Sequence, residues 1–283
     1  MKTILITGAS SGFGKLAIPM LLERGHTVIA GIRGGETRLR SLFERELAAH
    51  PGRLLACELH LEKSETFASA VSLVRDRFGG KLDVLVNNAG FGLFGAVEDQ
   101  DETQLRAEFE VNFFGPVSLT RALLPALRAA RGRVLNVSSV AGRFTFPFYG
   151  SYSASKFALE AISEGLHYEL KPWGIQVGLI EPGGFKTGFN SARAVAARSR
   201  EADSLYRKRT ENFENFLATS DKRLDNPAKV ARLIVSLCER RHLPVRNLIG
   251  RDANALSLLA RLLPDSWRIA LQEFFFRKLI FRD

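Results

Sequence analysis

Cysteine is scarce in this 283-residue sequence, and its scarcity excludes two kinds of protein. Cys57 and Cys238 are the only cysteines. Two are too few for the disulfide framework of a small secreted domain or for a cysteine-based zinc site. A reducing cytosol suits such a chain, so we expect a cytoplasmic location and no metal site.

Long apolar runs are also missing. No hydrophobic stretch approaches the ~20 residues of a membrane-spanning helix. The chain passes from Met1 and Lys2 into the apolar stretch 4–6 and then into a glycine-rich turn, a pattern that leaves no room for a signal peptide. We therefore expect a soluble protein.

Acidic residues are outnumbered by basic ones, and the formal net charge is +10. Such a charge can attract nucleic acid. However, the sequence has no zinc-finger spacing, no helix-turn-helix pattern and no aromatic RNA-binding motif, so we expect no nucleic-acid partner. A phosphorylated or carboxylated small molecule would explain the charge equally well, and so would a solvated surface.

Short apolar stretches alternate with helical patterns along the chain. The strand-like stretches are 2–7, 26–32, 54–59, 84–87, 133–137 and 176–180. Continuous apolar strands between helices predict a parallel sheet, and right-handed crossovers give a doubly wound, three-layer α/β/α fold. Hydrophobic residues make up 46% of the chain, and no repeat divides it, so we expect one domain over 1–283.

A glycine-rich turn, TGASSGFG at 7–14, lies between the first predicted strand and the first predicted helix. The N–H groups of such a turn and of the helix N-terminus can bind a pyrophosphate. The spacing Gly-x3-Gly-x-Gly differs from the common Gly-x-Gly-x2-Gly fingerprint, and a flexible turn without a ligand is the alternative. We favour phosphate binding.

The residue after the second predicted strand bears on the identity of the dinucleotide. An acid there would bind the ribose 2′-hydroxyl of NAD, whereas an arginine favours the 2′-phosphate of NADP. Arg33 follows Ile32, and the first acid is Glu36. We therefore favour NADP (NADPH) over NAD. The alternative is that Arg33 only points into water.

Tyr152 and Lys156 are four residues apart, which places them one turn apart on the same face of a helix. A phenol titrates near pH ~10 and exchanges protons poorly at neutral pH unless a positive charge stabilises its phenolate. Lys156 could supply that charge. Taken alone, the spacing also fits a half-buried tyrosine beside a solvated lysine.

Several motifs follow one another in the order found in short-chain dehydrogenases/reductases. They are the turn at 7–14, NNAG at 87–90, Asn112, NVSS at 136–139, the Tyr152 and Lys156 pair, and PGxxxT at 182–187. Over about residues 1–250 the sequence resembles this family, and the glycine spacing is similar to that of its single-domain branch. The resemblance implies a Rossmann-type domain and a dehydrogenase or reductase activity.

The resemblance implies four catalytic residues, Asn112, Ser139, Tyr152 and Lys156. Ser139 would donate a hydrogen bond to the substrate carbonyl while Tyr152 acts as general acid or base. Lys156 would lower the phenol pKa and bind the nicotinamide ribose. The backbone of Asn112 would hold a water that relays protons to Lys156.

Cofactor contacts are implied at the same motifs. The implied residues are Gly8, Ser10, Ser11, Gly12, Phe13, Gly14, Arg33, His60, Leu61, Asn88, Gly90, Tyr152, Lys156, Pro182, Gly183, Phe185 and Thr187. The sequence departs from the family at His60, where an aspartate often contacts adenine. We expect a backbone contact there instead.

Aromatic residues gather around these motifs. They are Phe91, Phe94, Phe144, Phe146, Phe148, Tyr149, Phe185 and Phe189. Each could be ordinary core, but as a set they favour an apolar pocket for a steroid-, retinoid-, lipid- or aryl-like ketone or aldehyde and its alcohol. The alternatives are reduction of 3-oxoacyl thioesters on an acidic carrier protein, and a non-catalytic dinucleotide-binding regulator.

The polar segment at about 186–226 is predicted to form a substrate lid, with Tyr206, Phe213 and Phe216 on one helical face. A helical excursion on the surface is the alternative.

A C-terminal extension at about 254–283 contains an apolar helical face near Arg277 and Lys278. The residues of this face are Trp267, Leu271, Phe274 and Phe281. The extension could cover the pocket, join two subunits of an expected homodimer or homotetramer, or rest on a membrane surface. We expect these roles in that order.

Overall fold

The computed structural model describes residues 1–189, 193–220, 224–251, 253–254, 257 and 262–281. Its strands are β1 (Thr3–Thr7), β2 (Thr27–Ile32), β3 (Leu54–Glu58), β4 (Val84–Asn87), β5 (Leu93–Phe94), β6 (Arg133–Val137), β7 (Gln176–Pro182), β8 (Ala194–Val195) and β9 (Arg246–Ile249). Seven of them form one parallel sheet in the order β3-β2-β1-β4-β6-β7-β9, and β5 pairs with β8. The predicted doubly wound fold is confirmed.

Helices cover both faces of this sheet. They are α1 (Gly12–Glu23), α2 (Gly35–Ala49), α3 (Phe67–Phe78), α4 (Glu102–Phe109), α5 (Gly115–Ala130), α6 (Gly150–Leu170), α7 (Arg207–Ser220), α8 (Ala228–Glu239) and α9 (Asp265–Arg277). A π-helix at Glu110–Phe114 connects α4 to α5.

The alternation of side chains along each strand produces the three layers. In β1, Ile4 and Ile6 join the apolar cluster beneath α1, α2 and α8. Leu5 points the other way and packs beneath α3, α5 and α6. Because both faces of the sheet are covered, its strands are apolar throughout, as the sequence predicted.

The strand order reverses between β1 and β4, and Gly8 allows the two loops that follow these strands to meet. Gly8 has a positive φ of +65°, and a Cβ there would lie 2.8 Å from the Ala89 Cα. Only glycine satisfies both constraints. Ligands of such sheets bind in the crevice at this point, beyond the carboxyl ends of the strands.

The structure adds elements that the sequence did not predict. The strand β9 has only four residues, all half-buried, and lacks the continuous apolar run used to recognise the other strands. Strands β5 and β8 have two residues each. The first helix begins at Gly12, inside the glycine-rich turn at 7–14, so the turn itself supplies the first helical residues.

The two predicted outer segments are described in part. Residues 193–220 of the predicted lid contain β8 and α7, while 190–192 and 221–223 lie outside the described residues. In the C-terminal extension, 252, 255–256, 258–261 and 282–283 also lie outside them. Across the described part of the chain, no helix is both long enough and apolar enough to cross a membrane.

Arg246 of β9 connects the edge of the sheet to α6. Its guanidinium donates to Glu181 of β7 at 2.5 Å, to Glu164 at 2.7 Å, and to Glu160. Glu181 is fully buried, and burial raises the pKa of Glu160 to about 7. These carboxylates depend on the arginine because a buried charge without a partner is strongly destabilising.

Replacing Arg246 should therefore destabilise the protein. We expect Arg246→Met to lower the free energy of unfolding by about 3–5 kcal/mol near pH 8. Urea denaturation measures the loss, which should shrink at lower pH because the carboxylates left behind can then bind protons. The exposed Arg75→Met is the matched control and should have no measurable effect. Equal stabilities of the two variants would contradict the proposed role of Arg246.

Candidate active site

One cavity of about 840 Å³ lies beyond the carboxyl ends of the sheet strands. It collects nearly every residue that the sequence analysis assigned to the site. Gly14 and Asn112 are the two that do not line it. Residues scattered from 8 to 187 thus reach one place because parallel strands end at one edge.

The N-terminus of α1 forms one end of the cavity. Ser11 is the N-cap but its side chain makes no capping bond, and the first turn has no acidic residue. Gly12 has φ +55°, and a Cβ there would meet nothing closer than 3.9 Å. Free N–H groups beside an open surface fit an anion such as a pyrophosphate.

Gly14 has a packing role instead. A Cβ at this position would lie 2.7 Å from both the Gly8 carbonyl oxygen and the Asn88 Nδ2. Asn88 Nδ2 donates to the carbonyl oxygens of Thr7 (2.9 Å) and Gly8 (3.3 Å). The Asn88 amide therefore connects the loops after β1 and β4.

At the end of β2 a cation lines the cavity, and a carboxylate lies nearby without lining it. Arg33 lines the cavity, as predicted. Glu58, which ends β3 and is paired in register with Ile32, accepts a hydrogen bond from the Gly34 N–H at 3.0 Å. That bond, and then His60, holds the Glu58 pKa below its usual range. Sequence reasoning missed Glu58 because it lies 25 residues after Arg33 and adjoins it only through the sheet.

His60 and Leu61 line the cavity where the resemblance implies adenine contacts. The His60 Nε2 lies 2.7 Å from the Glu58 Oε1. The imidazole is thus engaged with a carboxylate, and a backbone contact to adenine stays a prediction.

The segment after β7 forms the opposite wall. Gly183 donates its N–H to the Ile249 carbonyl at 2.9 Å, so β9 holds the start of this segment. Further along, the Phe185 ring meets the Phe13 ring edge to face at 5.8 Å, and Thr187 reaches the cavity. The segment therefore lies across from α1, where a dinucleotide would run between them.

Tyr152 and Lys156 lie on α6 and are both buried. The Lys156 Nζ donates to the Val137 carbonyl at 3.1 Å and lies 5.9 Å from the centre of the Tyr152 ring. Ser139, at the end of β6, lines the same cavity and accepts a bond from the Ala141 N–H at 3.1 Å. The predicted serine, phenol and ammonium are thus brought together.

Burial is the largest cause of the pKa shifts of both Tyr152 and Lys156. It raises the pKa of Tyr152 above its ordinary value, and the Ser139 hydroxyl opposes that shift. The sequence had led us to expect a pKa lowered by Lys156. Burial also lowers the pKa of Lys156 to about 8. A lower pKa weakens the positive charge that was expected to lower the Tyr152 pKa. The Tyr152 phenol is therefore protonated at neutral pH, and burial makes it a weaker acid than a free phenol unless the phenolate is stabilised.

Asn112 lies behind the cavity wall, in the π-helix. Its Oδ1 accepts from the Phe91 N–H at 3.1 Å, and its Nδ2 donates to the Phe91 carbonyl at 2.9 Å and to the Ser155 hydroxyl at 3.0 Å. The side chain thus holds the loop after β4 against α6. The proton-relay role of its backbone stays a prediction.

Glu108 is a buried residue near the site that sequence reasoning missed. It is fully buried, and its Oε1 accepts from the Leu93 N–H at 2.7 Å. Burial raises its pKa to about 7, against the effects of that N–H and of Lys156. Sequence reasoning missed it because a glutamate on a helix usually faces water. The signal that could have found it is its position four residues before Asn112, which places both residues on one face of a helix.

Most of the predicted aromatic residues line the cavity. They are Phe91, Phe94, Phe146, Tyr149, Phe185 and Phe189, joined by Phe213 and Phe216 of α7 and Phe275 and Phe276 of α9. Phe144 and Phe148 are exceptions. Phe144 packs in a separate cluster with Val140 and Ala253.

Phe148 and Tyr206 do not line the cavity either. Phe148 has a left-handed backbone (φ 63°), and its ring packs on Phe213 and Phe281. Tyr206 directly precedes α7, and its carbonyl accepts the Thr210 N–H at 2.8 Å, as at the start of a helix. Phe281 lies beyond the end of α9 at Arg277, so it does not share a helical face with Trp267, Leu271 and Phe274 as predicted.

Known proteins resemble this chain over most of its length. Residues 2–197 match the sequence profile of the short chain dehydrogenase family. A 3-ketodihydrosphingosine reductase of Bacteroides thetaiotaomicron is 35% identical over 253 residues, covering 88% of each chain.

Solved structures give the same result. The structure of a short-chain dehydrogenase from Streptomyces avermitilis has a TM-score of 0.78 and 36% identity, covering 98% of each chain. A short chain dehydrogenase from Burkholderia cenocepacia, solved in complex with NADP, has a TM-score of 0.72 and 25% identity, covering 96% of each chain.

The buried Glu108 carboxyl makes stability depend on pH. The pKa of Glu108 is raised from 4.5 to about 7 in the folded state. Its contribution to the free energy of unfolding is therefore fully present below about pH 4.5 and is lost as the pH rises through about 7. Glu108→Gln keeps the acceptor for Leu93 and cannot ionise. We expect the variant to match the wild type near pH 5 and to exceed it by on the order of 2–3 kcal/mol at pH 8, measured by urea denaturation.

Glu102→Gln, on the exposed side of α4, is the control and should leave stability unchanged at both pH values. If Glu108→Gln and the wild type show the same pH dependence, Glu108 is not a buried, titrating carboxyl.

Proposed function

The chain belongs to the short-chain dehydrogenase/reductase family, and on that basis we propose that it is an NADP-dependent enzyme for bulky apolar carbonyl compounds and their alcohols. That it is an oxidoreductase with a nicotinamide dinucleotide cofactor, acting on CH–OH or C=O groups, follows from its relatives. One observation carries the finer proposal: Ser139, Tyr152 and Lys156 share a cavity with the α1 N-terminus and an aromatic wall.

The chain's own groups suit transfer of a proton to a carbonyl oxygen. Tyr152 keeps its proton at neutral pH and can donate it, while the Ser139 hydroxyl can donate a hydrogen bond to the same oxygen. Lys156 retains most of its charge at pH 7, with a pKa of about 8, and stabilises the phenolate that forms. A bound nicotinamide dinucleotide supplies or accepts the hydride.

NADP is favoured as this dinucleotide by Arg33, because a guanidinium binds a 2′-phosphate well. The NADP-bound relative from Burkholderia cenocepacia supports the same choice. Glu58 would favour NAD instead, because its carboxylate lies at the end of β3, beside the end of β2, where an acid can bind the ribose 2′-hydroxyl. However, that carboxylate already accepts bonds from the Gly34 N–H and from His60.

The substrate class is argued from the other half of the cavity. The rings of Phe94, Tyr149 and Phe189 surround Tyr152, with centroids 5.6 to 6.3 Å from its own. Phe213 of α7 lies 6.2 Å from Phe94, so a helix of the predicted lid continues this wall. Apolar walls with few polar groups suit a lipid-, steroid-, retinoid- or aryl-like substrate. The relative named for a ketodihydrosphingosine acts on a lipid ketone, which agrees.

The oligomeric state and the cellular location stay predictions, namely a homodimer or homotetramer in the cytoplasm.

Removing the Tyr152 hydroxyl should abolish turnover while sparing cofactor binding. We expect Tyr152→Phe to lower kcat by roughly a thousandfold or more with NADPH and an apolar ketone, because no other side chain would donate the proton. Fluorescence titration should give a Kd for NADPH within a factor of about three of the wild type. Tyr168→Phe, on the exposed side of α6, is the control. Retained turnover in Tyr152→Phe would reject the assignment.

Removing the Arg33 guanidinium should change the preference between the two dinucleotides. We expect Arg33→Ala to raise KM for NADPH roughly tenfold or more and to leave KM for NADH nearly unchanged. Steady-state kinetics with both cofactors measures the ratio. Arg40→Ala, exposed on α2, is the control. An unchanged ratio in Arg33→Ala, with a changed one in Glu58→Gln, would show that Glu58 decides the preference.

A further inference from the structure

Large apolar side chains lie exposed on the outward face of α9. Trp267, Leu271, Phe274 and Phe275 have relative exposures of 68%, 46%, 65% and 56%. With 3.6 residues per turn they share one stripe of the helix, and Phe276, which is 7% exposed, lies on the opposite side. The helix therefore has an inner face packed on the protein and an outer face that is apolar and uncovered.

We propose that this outer face of α9 docks on an anionic phospholipid surface. The helix is too short and too polar to span a bilayer, so it would lie in the plane of the headgroups. Tryptophan and phenylalanine are well suited to that depth, because the hydrocarbon boundary receives their rings while the indole N–H stays near water.

The charges around the face favour an anionic surface. Arg277 and Lys278 follow Phe274 and Phe275 on the last turn, and neither forms an ion pair with any described residue. Lys278 lies over the Phe274 ring at 5.3 Å, so a cation borders the apolar stripe itself. The nearby acid Asp265 is already paired with Arg268 at 3.0 Å. Glu273 remains as an opposing charge, against a formal net charge of +10 for the whole chain.

The size of the face argues against a second copy of the chain. Four half-exposed side chains present on the order of 400 Å² of apolar surface. A stable protein interface buries about 800 Å² on each partner, roughly twice as much. An interfacial helix needs no matching partner, because lipid conforms to whatever face it receives.

The inner face of the same helix forms part of the cavity wall. From this inner face Phe276 lines the cavity, and its ring packs edge to face on Phe146 and Phe216, each at 5.9 Å. Phe275 lies at the border between the two faces, so it is 56% exposed and also reaches the cavity. The extension thus contributes to the wall of the pocket, and its outer face is left for the membrane-surface role, the last of the three expectations. A substrate dissolved in the bilayer could enter beside α9 without crossing water. This last step rests on the proposed apolar substrate, whereas the docking does not.

Sedimentation with lipid vesicles tests the proposal without substrate or cofactor. The full chain should sediment with vesicles of phosphatidylcholine and phosphatidylglycerol in equal parts, at least about tenfold more strongly than with phosphatidylcholine alone. Trp267→Ser combined with Phe274→Ser should reduce that binding about tenfold or more and leave Tm unchanged, since both side chains point outward. Trp173→Ser is the control, because Trp173 is 58% exposed and lies shortly before β7, at the amino ends of the strands, whereas the cavity lies beyond their carboxyl ends.

Absence of binding to the mixed vesicles would overturn the proposal. So would binding that the double variant retains in full. Light scattering of the chain alone tests whether the face binds a second copy of the chain instead. If the wild type is a dimer, the double variant is a monomer and neither binds vesicles, the face belongs to a second copy and the proposal is overturned. Because the readout contains no turnover, failure of the docking and failure of the proposed activity are separate results.

Discussion

A buried positive charge, the Lys156 ammonium, is the constraint around which the site is built. An ammonium removed from water is costly unless hydrogen bonds and opposite charges compensate it. The Val137 carbonyl at the end of β6 accepts one of its protons, and the carboxyls of Glu108 and Glu160 raise its pKa against the effect of burial. Gly90 leaves room beside this charge, since a Cβ there would lie 2.9 Å from the Asn112 Oδ1 and 3.4 Å from the Nζ. Residues of α4, β6 and α6, which are far apart in the chain, therefore surround the Lys156 ammonium.

The sheet supplies the second requirement, which is a rigid support for these groups. Asn87 of β4 donates to the Asn136 Oδ1 of β6 at 2.8 Å, and Asn136 donates to the Ser163 hydroxyl of α6 at 2.8 Å. These buried amides connect two central strands to the helix that carries Tyr152 and Lys156. Through these hydrogen bonds the asparagines at 87 and 136 hold the site without entering it.

Local patterns were enough to predict the fold, and the order of the motifs, through its resemblance to a known family, implied the central site residues. The glycine turn at 7–14, the apolar strands and the Tyr152 and Lys156 spacing all depend on neighbours in sequence. What the sequence did not reveal depends on distant partners. Glu58 adjoins Gly34 through strand pairing, Glu108 reaches Leu93 through a loop, and Arg246 stands in a strand recognisable only by its partner β7. Phe148 was misassigned because its left-handed backbone has no signature in sequence.

The π-helix at Glu110–Phe114 also separates two helical frames. Gly115 donates to the Glu110 carbonyl five residues earlier, which is equivalent to one extra residue in an α-helix. Before this bulge, the frame of α4 turns Glu108 towards the site. After it, the frame of α5 turns Leu119, Leu123 and Leu127 onto the sheet. Loss of a single residue here would rotate one frame against the other by about 100°. Apart from Asn112, whose side chain holds the loop after β4, residues 110–114 should therefore tolerate substitution better than a change of length.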